Sequence, residues 1–152
     1  MIKINYDKKW KDLINKKMLK EILNIFIKEL FETELELSLY ITDDFEIQKL
    51  NKTFRNKNSP TDILSWAYND NNFEIGVNCR SPLGGEIVIS GDRVRKQSIG
   101  NGWDFTTEII RLLAHGSAHI AGFDHDNSDK DDLEMLEIEI KLLKLVGITN
   151  IY

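Results

Sequence analysis

Apolar and polar residues alternate from Ile2 to Tyr6, the two-residue period of a half-buried strand. From Trp10 the period lengthens. Trp10, Leu13, Ile14, Met18, Leu19, Ile22, Leu23, Ile25 and Phe26 recur at helical spacing and predict a long amphipathic first helix. Alternation returns at Glu36 to Ile41, with Leu37, Leu39 and Ile41 on one face. Thr42-Asp43-Asp44 then offers side-chain oxygens to cap a helix from about Phe45 to Thr53. Thr61 to Trp66 and Glu86 to Ser90 are the other expected strands, the second following a Pro82-Leu83-Gly84-Gly85 turn. Tyr68 to Arg80, between them, reads as a polar loop or hairpin.

The second half is helical in pattern. Arg93 to Ile99 predicts a short helix ended by Gly100-Asn101-Gly102. Asp104 or Thr106 can cap the next helix, which carries Ile109, Ile110, Leu112 and Leu113 and which Gly122 stops. Asn127 or Ser128 caps a last helix with an expected apolar stripe through Leu133, Leu136, Ile140 and Leu143, widened by Leu142, Leu145 and Val146, before Gly147 ends it. Mixed strands and helices with short connections predict an α+β (mixed α/β) fold: a small mixed β-sheet packed against several helices. No internal repeat, low-complexity tract or linker divides the chain, so residues 1–152 are read as a single domain.

Composition narrows the function classes. At 152 residues and 41% hydrophobic, the chain can bury one core but has no room for a second full domain. A net charge of −5 argues against coating nucleic acid through bulk positive charge, although a local basic site remains open. Cys79 is the sole cysteine, which rules out an intrachain disulfide and a two-cysteine metal motif. No apolar run approaches the roughly 20 residues of a membrane span, and Met1 to Lys11 lacks the apolar core of a signal peptide. A cytoplasmic location and no membrane partner are expected.

All three histidines of the chain lie in His115-Gly116-Ser117-Ala118-His119-Ile120-Ala121-Gly122-Phe123-Asp124-His125. On a helix, His115 and His119 are one turn apart and can aim at a common point. Gly122 permits a backbone reversal that can return His125 to that point as a third ligand. Three neutral nitrogen ligands predict one divalent metal ion, zinc, with a position open to water on a helix and the turn after it. The spacing is that of the long zinc motif of metzincin proteases, but Gly116 stands where those enzymes carry their catalytic glutamate.

A second segment, Asn51-Lys52-Thr53-Phe54-Arg55-Asn56-Lys57-Asn58-Ser59-Pro60-Thr61-Asp62-Ile63-Leu64-Ser65-Trp66, joins a helix end to a strand through a basic turn. Arg55 and Lys57 are its candidate anion handles, since a guanidinium fork pairs with phosphate oxygens. A surface arginine paired with Asp62 is the plainer alternative. Together the two segments resemble the YbeY family of bacterial metal-dependent endoribonucleases. That family pairs an N-x-x-[YF]-R-x-K-x-x-P-T-D-V-L-S-F-like segment with an H-G-x-L-H-L-x-G-Y-D-H-like one, and Gly85-Glu86-Ile87 matches its L-G-D-I-like strand. Ala118, Ile120, Phe123, Trp66 and Glu86 depart from the pattern around an intact ligand set.

The resemblance implies single-strand-specific cleavage in the 3′ end maturation of 16S ribosomal RNA and in ribosome quality control. It further implies small-subunit proteins or a ribosome-associated GTPase as partners. In this reading His115, His119 and His125 bind the metal, His115 and Arg55 serve catalysis, and Arg55 and Lys57 bind RNA. Glu86 and Asp124 are candidates for a general base or for orienting a ligand histidine. A non-catalytic, metal-stabilised assembly factor and a divergent metalloprotease are the alternatives.

Overall fold

The computed structural model describes residues 1–68, 84–123 and 128–152. Strands β1 (Ile2–Tyr6), β2 (Glu36–Thr42), β3 (Ile63–Ala67) and β4 (Gly84–Ser90) form one sheet in the order β1-β2-β4-β3. β2 runs parallel to both β1 and β4, and β3 closes the edge antiparallel to β4. Helices α1 (Lys16–Leu30), α2 (Asp44–Arg55), α3 (Gly91–Asn101), α4 (Phe105–Ile120) and α5 (Asp129–Leu145) complete the expected mixed α/β architecture.

The two faces of the sheet bury different sets of residues because successive strand side chains point to opposite sides. Leu37, Leu39 and Ile41 of β2, with Ile87 and Ile89 of β4, meet Leu19, Leu23 and Phe26 of α1 and Ile109, Leu112 and Leu113 of α4. On the other face Leu64 and Trp66 of β3 and Val88 of β4 form a smaller cluster with Ile47 of α2. α4 is the hub, packed against β3, β4, α1, α3 and α5. Among the described residues no helix is long and apolar enough to cross a membrane.

Three expectations are corrected. The long first helix is broken: Lys8–Leu13 is a 3-10 helix, and Asn15 Oδ1 accepts from Met18 N at 3.1 Å to cap α1 separately. Trp10 accounts for the break, because its buried indole donates to Thr42 O at 2.9 Å and ties that turn to the end of β2. Gly84 and Gly85, expected in a turn, are buried in β4 opposite Glu36 and Leu37; Pro82 and Leu83 lie outside the described residues, as does the expected loop from residue 69 to 80. In α5 the apolar stripe is rotated. Leu133, Leu136, Ile140 and Leu145 are exposed, whereas Met135, Glu139, Leu142 and Leu143 face inward. A period-3.6 stripe assigns the most apolar face to the core, but the partner of the buried Glu139 lies on α4 and sets the orientation instead.

Candidate functional site

The histidine helix is built from a cap and a stop. Asp104 Oδ1 accepts from Thr107 N at 2.7 Å, and these hydrogen bonds hold its carboxyl below the ordinary carboxylate value. At the other end Gly122 adopts φ +100° just after the C-cap Ala121, a conformation with no steric cost for glycine. His115 and His119 fall on one face of the last two turns, their ring centroids 6.1 Å apart and inclined by 48°. Both are partly exposed. No group of three potential metal ligands is completed among the described residues; His125 and Asp124 lie outside them.

Gly116 faces the sheet. A Cβ there would stand 2.9 Å from Ile63 Cδ1 and 3.2 Å from Ile87 Cδ1, so α4 approaches β3 and β4 more closely than a larger residue allows. The position that holds glutamate in metzincin proteases is therefore occupied by helix-to-sheet packing in this chain.

His115 has a buried partner that the sequence reading did not single out. Its Nδ1 contacts Glu139 Oε1 on α5, and Glu139 Oε2 accepts from the Tyr152 hydroxyl at 2.8 Å. With both carboxylate oxygens accepting, the imidazole donates from Nδ1, which places the lone pair of the neutral ring on Nε2. A carboxylate behind a ligand histidine is the usual arrangement of metal-binding imidazoles, so this pair fits a divalent ion. Burial, and then the charge and hydrogen bond of Glu139, push the Tyr152 phenol up to about 12, so it remains a neutral donor.

Further back on α4 lies a second carboxylate. Glu108, fully buried, accepts from Arg111 Nε at 2.8 Å, from Arg111 Nη2, from Trp103 Nε1 at 2.8 Å and from Gln97 Nε2 at 3.2 Å. Burial opposes the Arg111 charge, but Glu108 outweighs it and raises the guanidinium pKa. Gln97 also reaches Asp62 Oδ2 at 3.4 Å, linking α4 to the Pro60-Thr61-Asp62 turn.

That turn is held from α2. Asn56 caps α2 in the left-handed region at φ 58°, with its N–H on Lys52 O and that of Lys57 on Asn51 O. The buried Asn51 side chain donates to Ser59 O at 2.9 Å. Arg55 and Lys57 are exposed on this turn. Arg55 Nη2 donates to Ser65 O at 2.9 Å rather than pairing with Asp62. Asp62 O accepts from Ser90 N and Tyr68 N donates to Gly84 O, so the alternation of an antiparallel ladder turns the Ser65 carbonyl to the side of β3 away from β4. β3 packs on α4, which is how the guanidinium segment and the histidine helix come onto adjoining elements.

Glu86 belongs elsewhere. It neighbours Ile87, whose side chain faces α4 at Gly116, so Glu86 lies on the opposite face of the sheet, where Tyr68 donates to it at 3.4 Å. As a base or orienting group for the histidines it is replaced by Glu139 in the second role. An inward carboxylate at Glu139, among Met135, Leu142 and Leu143, could have been found only as a break in the apolar stripe of α5.

Comparison with known proteins gives the family and the fold. The model of the family described as "Endoribonuclease YbeY" matches residues 2–147. The protein of that name from Petrotoga mobilis is 38% identical over 127 residues, covering 83% of this chain and 82% of that one. The one from Ehrlichia canis is 36% identical and covers 100% of this chain and 97% of its own. Among solved structures, a solution structure of a Thermotoga maritima protein superposes with a TM-score of 0.65 at 27% identity, covering 96% of this chain and 89% of that one.

Proposed function

The chain belongs to the endoribonuclease YbeY family, and on that premise we propose that it is a zinc-dependent endoribonuclease of ribosomal RNA maturation. His115, His119 and His125 hold one divalent ion, and Arg55 with Lys57 receives the RNA backbone. The observation that carries this reading is the buried Glu139 set against His115 Nδ1, one helical turn from His119. Zinc, when bound there, supplies Lewis-acid polarisation and activation of water.

The protein's own groups supply the rest. Glu139 fixes the tautomer of His115. Arg55 brings a permanent charge to the scissile phosphate and offsets negative charge that builds up during cleavage. Its bond to Ser65 O holds the fork against β3, and a guanidinium has five N–H donors, so that bond is compatible with a phosphate on the others. Lys57 holds the neighbouring phosphate. Single-stranded RNA at the 3′ end of 16S ribosomal RNA is the substrate in this reading, with small-subunit proteins or a ribosome-associated GTPase as cytoplasmic partners and ribosome quality control as the wider role. The overall charge of −5 favours such a local groove over an extended coating surface.

The test is metal content and ribosomal RNA cleavage measured in parallel for wild type, His119→Ala and Arg55→Ala, after stripping and restoring zinc. His119→Ala is expected to lose zinc and cleavage together, and Arg55→Ala to keep zinc and lose cleavage. Wild type that holds zinc yet cleaves no RNA would leave only a metal-stabilised assembly factor. Peptide cleavage without RNA cleavage would restore the protease reading despite Gly116.

A further inference from the structure

Tyr152 lies far from both sequence motifs, and its ring is half exposed, so packing alone does not account for its position. Its hydroxyl nevertheless turns inward onto Glu139 Oε2 at 2.8 Å, while the other oxygen of that carboxylate meets His115 Nδ1. Arg111, one turn before His115 on α4, lies near enough to the same hydroxyl for its charge to act on it. Arg111 is itself fixed by the buried Glu108, which Trp103 and Gln97 hold in turn. Direct contacts thus run from the Tyr152 hydroxyl through Glu139 to His115, with the Glu108–Arg111 pair beside them.

We infer that Tyr152 is a positioning residue that sets the plane of the Glu139 carboxylate and through it the tautomer and ring orientation of His115. A glutamate held by one oxygen alone can turn about its terminal torsion, which is broad and weakly staggered. A donor on Oε2 removes that freedom and aims Oε1 at the imidazole N–H. A phenol suits the task because it donates without adding a positive charge that would compete with His115 for the carboxylate. The inference rests on the metal-centre reading for its consequence in zinc affinity, but not for its effect on the imidazole itself.

Tyr152→Phe keeps the ring and removes only the hydroxyl. Two readouts are taken: the tautomer of His115 from its ring nitrogen-15 shifts in metal-free protein at a pH where the imidazole is neutral, and zinc affinity by chelator competition. Wild type is expected to hold His115 as the Nδ1–H tautomer, and the variant to show a mixture. Zinc affinity should fall about tenfold, the lower end of what loss of an outer hydrogen-bonding partner costs a metal site. If wild type binds zinc, an unchanged value in either readout overturns the inference. If wild type binds no zinc, the metal-centre reading fails by itself; a shifted tautomer then still upholds the role of Tyr152, and an unshifted one overturns it.

Discussion

Removing the Glu108 carboxylate tests whether α4 is anchored by its buried charge pair. In Glu108→Ala, Arg111, the Trp103 indole N–H and the Gln97 amide lose a shared acceptor at a site with no exposure to water. Breaking a buried ion pair from one side costs about 3–5 kcal/mol, because the remaining charge is left without compensation. The Arg111 side chain retains 21% exposure, so water recovers part of that loss and the lower end, about 3 kcal/mol, is expected. For a domain of this size that is a fall in melting temperature of roughly 6–12 °C. The assay is thermal and urea unfolding followed by circular dichroism on metal-stripped protein, so that ligand binding does not mask the loss. Glu108→Leu combined with Arg111→Leu should be more stable than the sum of the two single changes, since no unpaired charge then remains. A Glu108→Ala midpoint within about 1 °C of wild type would refute the reasoning.

Other perturbations give independent checks. Gly116→Leu should cost about 1–3 kcal/mol by driving α4 off Ile63 and Ile87, and Ile63→Ala in the same chain should recover part of that in a urea melt. Asp104→Ala should lower stability by about 1 kcal/mol near neutral pH. Because the folded state depresses the Asp104 carboxyl below its usual 3.8, its contribution is present above that value and is lost as pH falls through the folded-state pKa. The gap between wild type and Asp104→Ala should therefore narrow in acid, and melts across that range measure it. Asn51→Ala removes the bond to Ser59 O; about 1 kcal/mol of stability and much of the RNA cleavage should go, while zinc content stays at the wild-type level.

Much of this protein was legible from local pattern. The two-residue period located β1 and β2, the strands expected at Thr61 to Trp66 and Glu86 to Ser90 matched β3 and β4 to within two residues, and side-chain caps at Asp43, Asp104 and Ser128 marked three helix starts. The i, i+4 spacing placed His115 and His119 on one face of α4, because helical geometry alone decides that. Periodicity failed where a single long-range bond outweighed the apolar count. Trp10 and Thr42 are 32 residues apart, and their bond breaks what reads as one helix. Glu139 and His115 are 24 apart, and their contact turns α5 so that a carboxylate faces inward while Leu133, Leu136 and Ile140 face water.

The sequence by itself determined which chemistry the chain carries: three histidines around a glycine stop, and a guanidinium on a basic turn. Tertiary structure decided which groups support that chemistry. It placed Glu86 on the far side of the sheet, gave Gly116 to helix packing, fastened Arg55 to the edge of β3, and brought Glu139 to His115 and Tyr152 to Glu139. The physical reason is range. Periods and caps are set by neighbours within one or two turns, whereas a buried carboxylate finds its donors only when distant segments close around it, and its cost without them fixes how those segments meet.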